Sequence, residues 1–287
     1  MRKIALALSI SGALLLAACG GSSSSESSDA ATAAGSGNEC TAGKTLNDGV
    51  LTIATGSPAF GPWVVDDKPE SKEGFEAAVA YAIATELGYS DANVKWVRTT
   101  FDEAIQPGKK NFDFNLQQYS ITEERKKTVS FSDGYYTTNQ AIVGLTDSAA
   151  KGATTLADIK KLKLGAQSGT TSLDYITNVI KPDTAPFVYD DNAGAKAALG
   201  ANQIDAAIFD LPTALYVSAV EIEGSAVLGQ FPADASASAD EFGLVFDLEN
   251  PLVGCVNTAL AAIKDSGSLA EITSTWLSSK ASIPVIK

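Results

Sequence analysis

From Val50 onward, short apolar runs alternate with helical periodicities. Residues 50–54 read as a buried strand, closed by the turn formers Gly56, Pro58, Gly61 and Pro62. Phe75, Val79, Ile83 and Leu87 recur every four residues ahead of Gly88, which predicts an amphipathic helix with a glycine C-terminal cap. A second strand covers 94–97. Thr100 and Glu103 form a capping box for a helix bearing Phe101, Ala104 and Ile105, and a third strand ends near Leu116. Strand, helix, strand, helix, strand is the signature of a largely parallel sheet with helices on its faces.

The pattern then restarts. Strands are predicted at 141–145, 162–166 and 206–209, with helices carrying Leu173, Ile176 and Ile180, and then residues 193–199. Residues 242–246 read as a strand returning to the first unit. Pro251 opens a helix with Val256, Leu260 and Ile263, and Leu269, Ile272 and Trp276 mark a last one. Two α/β units joined by two crossings predict two lobes, 49–138 plus 242–287 and 139–241. The cleft between them lies beyond the strand C-termini, where such sheets bind ligands.

The first residues stand apart. Arg2 and Lys3, an apolar run over 4–16 and the small residues of Leu16-Ala17-Ala18-Cys19 predict a signal peptide at 1–18. The Leu-Ala-Ala-Cys sequence resembles a bacterial lipobox, which implies cleavage before Cys19 and acylation of its sulfur. A Ser, Gly and Ala-rich stretch follows, and 19–48 is expected to be a lipidated, flexible tether. Cys40 and Cys255 then stand in an oxidising compartment, as a disulfide or as two buried thiols.

Composition narrows the chemistry. The chain of 287 residues has no histidine, which excludes Ser-His-Asp triads, Cys-His pairs and His-ligated metals. Its net charge of −13, or −15 once Arg2 and Lys3 are removed, is opposite to a nucleic-acid footprint. No metal or cofactor is expected.

Several stretches together carry a resemblance: residues 55–63 (TGSPAFGPW), Gly74-Phe75-Glu76, 120–125 (SITEER), 131–136 (FSDGYY), 167–171 (QSGTT), 204–210 (IDAAIFD) and 267–276. In this order and spacing they resemble the family 3 solute-binding proteins, the polar amino-acid receptors of ABC importers. The resemblance implies an α/β, two-lobed, periplasmic-binding-protein-like (type II) fold, each lobe a mixed sheet flanked by helices. It also implies a non-enzymatic, monomeric lipoprotein at the outer face of the cytoplasmic membrane or in the periplasm. Its partners would be an amino acid, an ABC permease and the permease's ATPase.

Site residues follow position by position. Arg125, on a helix start capped by Thr122, matches the arginine that grips the ligand's α-carboxylate; read alone it is more readily a surface arginine pairing with a nearby acid. Thr170 and Thr171 match a second anion-binding helix start, or simply cap a helix. Asp210 matches the acceptor for the α-ammonium, and could instead cap the helix after it. Phe60 and Phe101 match the rings that sandwich the ligand side chain, although either could be core. Gln117, Gln118, Ser120 and Gln167 border these pockets, and Trp63 is expected beneath the site.

Receptors for basic amino acids in this family often carry an acid in a Thr-Asp motif, where this chain reads Thr55-Gly56. A cationic side chain would then be buried unpaired. A neutral polar ligand is expected, glutamine or asparagine first. The alternatives are an envelope enzyme of the same fold, such as a cyclohexadienyl dehydratase, and a sensory binding protein without transport.

Overall fold

The computed structural model describes residues 35–232, 239–277 and 282–287. The expected signal peptide, Cys19 and the first part of the tether lie outside them. The elements run β1 (Leu51–Gly56), α1 (Phe75–Glu86), β2 (Val94–Thr99), α2 (Phe101–Ile105), β3 (Phe114–Asn115), β4 (Ser130–Phe131), β5 (Tyr136–Thr138) and β6 (Gln140–Leu145). Next come α3 (Leu156–Ile159), β7 (Leu164–Gln167), α4 (Thr171–Tyr175), β8 (Phe187–Tyr189), α5 (Asn192–Gly200), β9 (Ala206–Asp210), α6 (Leu211–Tyr216) and β10 (Ser225–Gln230). The chain closes with β11 (Asp240–Phe242), β12 (Val245–Phe246), α7 (Val253–Asp265) and α8 (Ser268–Trp276). Among the described residues no helix is long and apolar enough to cross a membrane.

Each lobe is built on one mixed sheet. The first has the order β2-β1-β3-β12-β4, with β1 parallel to β2 and β3 and the returning β12 antiparallel to β3 and β4. The second has the order β10-β6-β9-β7-β8, with β7 parallel to β8 and β9. Alternation along its strands sends Ile142 and Ile208 to one apolar layer and Ala141, Val143, Ala207 and Phe209 to the other. Between the lobes runs a ribbon of β5 and β11, pairing Thr138 with Asp240 and Tyr136 with Phe242. This ribbon carries two of the chain crossings.

Three local expectations are corrected. Helix α1 is buried on nearly all sides, not amphipathic, because it sits in the core formed with α7 and α8. Residues 35–48, expected in the tether, pack as turns on the first lobe: Asn38 N–H donates to Leu87 O (2.9 Å) and Leu46 N–H to Asp113 Oδ1 (2.7 Å). Cys40 is bonded to Cys255, across a separation of 215 residues, which fixes these turns to α7. At the other terminus, residues 283–287 leave the first lobe to which 242–287 was assigned. Val285 bridges Gln230, and Ile286 is buried in the second lobe's core. The apolar Ile286 drives that third crossing.

Candidate functional site

The C-terminal ends of β1 and β3 face those of β7 and β9, and the residues just beyond them enclose a cavity between the lobes. Thr55, Phe60, Phe101, Gln117, Gln118 and Arg125 line it from one side, and Gln167, Thr170, Thr171, Asn192 and Asp210 from the other. The lobes are drawn together around it. Trp63 Nε1 donates to Thr213 Oγ1 (2.8 Å), Arg125 Nη2 donates to Gly169 O (2.9 Å), and the Ser120 and Thr171 hydroxyls lie 3.3 Å apart. Ser120 therefore stands behind the wall, at the lobe contact.

Arg125 does not sit on an α-helix. Residues Arg125–Lys127 form a single 3-10 turn, although the Thr122 hydroxyl does accept the Arg125 N–H (3.2 Å). The turn is short because β4 begins at Ser130 and draws the chain back into the sheet. Site chemistry here belongs to the guanidinium of Arg125, a residue only 8% exposed. Nη1 donates to Ser120 O (2.7 Å) and Nη2 to Gly169 O, and the group lies over the Phe101 ring at 5.3 Å. Burial lowers its pKa, while Tyr119, Asp240, Asp174 and Asp210 oppose that shift. Two carbonyls fix the plane and leave further N–H groups for a planar anion.

Opposite, Thr170 caps α4: its hydroxyl accepts Leu173 N–H (3.2 Å) and donates to Gln167 O (2.7 Å). Gly169 precedes it at φ +69°, and a Cβ there would come within 2.6 Å of Asp102 Oδ1. Glycine takes this left-handed turn without strain, and the Gly169 carbonyl is thereby brought to Arg125.

Asp210 occupies the N-cap position of α6 yet makes no side-chain cap bond. Its Oδ1 instead accepts from Gln140 Nε2 (2.8 Å), and the same nitrogen donates to Asp240 Oδ2 (2.6 Å). Burial pushes the Asp210 carboxyl up to about 8; Asp240 pushes the same way, against the Gln140 bond and Arg125. Among the described residues no Lys or Arg makes an ion pair with it, so Arg125 offsets the burial only in part.

Gln117 and Gln118 are held differently. The Gln117 amide lies 3.0 Å from the Tyr119 hydroxyl, whose one hydrogen is also within reach of Phe101 O (3.1 Å). Gln118, at φ +52°, is fixed by Glu76, which accepts both its backbone N–H (2.8 Å) and its side-chain Nε2. Its carbonyl oxygen is left without a donor among the described residues. Tyr135 also donates to Glu76, which is 1% exposed; burial raises the Glu76 pKa to about 7 against these bonds. A Cβ at Gly56 would lie 2.8 Å from Gln117 Nε2, so the Gln117 amide occupies the space of any side chain at that position.

Sequence reasoning passed over three residues and placed a fourth, Trp63, beneath the site rather than on its wall. Glu76 was visible only as part of a motif, and Asn192 and Thr213 carried no local signal. Trp63 reaches the cavity wall while packing edge-on to Phe75, Tyr136 and Phe242. Among the described residues no group of acids and cysteines could hold a metal ion.

The model of the bacterial extracellular solute-binding proteins, family 3, matches residues 51–279. The arginine-binding periplasmic protein of Mannheimia haemolytica is 30% identical over 226 residues, 78% of this chain and 90% of that one. The structures of an ancestral arginine-binding protein bound to arginine and of an ancestral arginine-binding protein bound to glutamine share 31% and 29% identity with this chain, each at a TM-score of 0.66 over 80% of this chain and 98% of its own. An ancestral amino acid-binding protein described as a precursor of cyclohexadienyl dehydratase is 28% identical, with a TM-score of 0.65 over 80% of this chain and 95% of its own.

Proposed function

Because the chain belongs to the bacterial extracellular solute-binding proteins of family 3, we propose that it captures a free amino acid between its lobes and delivers it to an ABC permease and its ATPase. It does so without turnover, as a monomer acylated at Cys19. One observation carries the reading: a guanidinium on one lobe and a carboxylate on the other, Arg125 and Asp210, line the same interlobe cavity. A zwitterion satisfies both, its carboxylate on Arg125 with Thr170 and Thr171 opposite, and its ammonium on Asp210. Such a ligand bonds both lobes only when they meet, which is the differential affinity that hinge closure needs.

The side chain is neutral and polar, glutamine first and asparagine second. Gln117 and Gln118 bring two amides to the cavity wall, groups that can both donate to and accept from a primary amide, and no acid stands at Gly56 to balance a cation. Phe60 and Phe101 flank the aliphatic part. The second reading is arginine, favoured by the similar proteins named for it. A third is an enzyme, favoured by the raised pKa of the Asp210 carboxyl, which suits a general acid.

A thermal-shift screen of the mature protein against the common amino acids separates these readings. Glutamine or asparagine should raise the melting temperature most. A larger shift with arginine replaces the ligand class, no shift with any amino acid overturns the reading, and a chemically altered ligand after incubation identifies an enzyme.

A further inference from the structure

Phe60 reaches the cavity from the first lobe, on the loop after β1. Its ring does not face only the cavity. The Lys196 ammonium, from α5 of the second lobe, lies 3.9 Å from the ring centroid, inside the range of a strong cation–π contact. Glu221 Oε1 holds that ammonium at 2.9 Å, and the Lys196 side chain is only 13% exposed. The first residue of the same helix, Asn192, lines the cavity. Helix α5 therefore brings both a wall residue and a cation against Phe60 when the lobes meet.

The second ring is engaged in the same way, since Phe101 carries the Arg125 guanidinium at 5.3 Å. Both aromatic surfaces that could receive a cationic ligand side chain already have a protein cation on them. The ring quadrupole attracts one cation well. A second cation against the same ring feels the first across the ring thickness, in a site with little water to screen it. A neutral amide or alkyl group against the ring feels no such repulsion.

We propose that Lys196 is a specificity-determining residue: laid on Phe60 by lobe closure, it latches the cavity over neutral side chains and disfavours cationic ones. The inference rests on the reading of this cavity as an amino-acid site, and it extends that reading to a residue outside the ligand's own contacts. It also makes Glu221 a positioning residue, which aims the ammonium at the ring.

The test is calorimetry of glutamine and arginine binding to the wild type, Lys196→Met and Lys196→Arg. The quantity read is the ratio of the arginine Kd to the glutamine Kd. Methionine keeps the apolar stem and drops the charge, so the ratio should fall about tenfold, from a Coulomb estimate reduced for the Glu221 counter-charge. Arginine keeps the charge and should leave the ratio within about threefold. Glutamine affinity itself should weaken a few-fold in Lys196→Met through loss of the latch. An unchanged ratio in Lys196→Met overturns the proposal, as does arginine binding that stays undetectable in that variant. A wild type that prefers arginine would refute the neutral-ligand reading separately, while the change in ratio would still decide the role of Lys196.

Discussion

Ligand binding should displace a proton from Asp210. Surrounded by protein groups alone, this carboxyl is pushed up to about 8 from an ordinary 3.8, first by burial and then by Asp240. The groups facing it are Asp240 on the β11 ribbon strand, Gln140 at the start of β6, Arg125 and Glu76 on the first lobe, and Tyr135 and Tyr136. An α-ammonium favours the ionised form, so below pH 8 the ligand must expel the proton before it gains the ion pair. Each pH unit is worth about 1.4 kcal/mol, so affinity at pH 6 should be about a hundredfold lower than well above pH 8. Calorimetry at pH 6 and 7 in two buffers of different ionisation enthalpy should show close to one proton released per ligand, falling to about half at pH 8. Asp210→Asn should abolish the release and weaken binding, and Glu76→Gln should preserve the release. Asp240→Asn removes the second cause of the shift, so it should move the whole profile to lower pH. Flat affinity from pH 6 to 8 with no proton release would refute this account of Asp210.

Other consequences concern stability and closure. Glu76 titrates near 7 in the fold against an ordinary 4.5, so the folded state binds the extra proton and stability is lost as pH rises from about 4.5 through 7. Urea unfolding should show a loss on the order of 3 kcal/mol from this group, and Glu76→Gln should flatten the slope by that amount. Trp63→Phe removes the interlobe bond to Thr213, a buried residue, and leaves its hydroxyl unpaired. Ligand affinity measured by calorimetry should fall about fivefold, the worth of one net hydrogen bond. Breaking the Cys40–Cys255 link, which spans 215 residues, should lower unfolding free energy by about 2 to 5 kcal/mol in the Cys40→Ser, Cys255→Ser double variant.

What was legible in the sequence was local. The strand runs, the Thr100–Glu103 capping box and the glycine after α1 each act within a few residues, and the structure realises them. The arginine and carboxylate positions were legible through motifs, because loops after strand ends carry recognisable glycines and caps. Features set by distant partners were not. Nothing near Glu76 reveals that positions 118 and 135 will close over it, so a glutamate in an apolar run reads as a surface residue. The tether was misjudged because polar composition suggests disorder, whereas Asp113 and Cys255 pin it from afar. Residues 283–287 carry too short an apolar signal to show which lobe Ile286 will join. Lys196 reads as one solvated lysine on α5 until Phe60 arrives from the other lobe.

The central claim is that Arg125 receives the carboxylate of an amino acid held between the lobes, and calorimetry of glutamine binding to Arg125→Ala tests it directly. Two charge-assisted bonds at about 1.5 to 3 kcal/mol each correspond to at least a hundredfold in affinity. The wild type should bind glutamine at one site and the variant at least a hundredfold more weakly, with its circular dichroism unchanged. Near-wild-type affinity in Arg125→Ala would contradict the account.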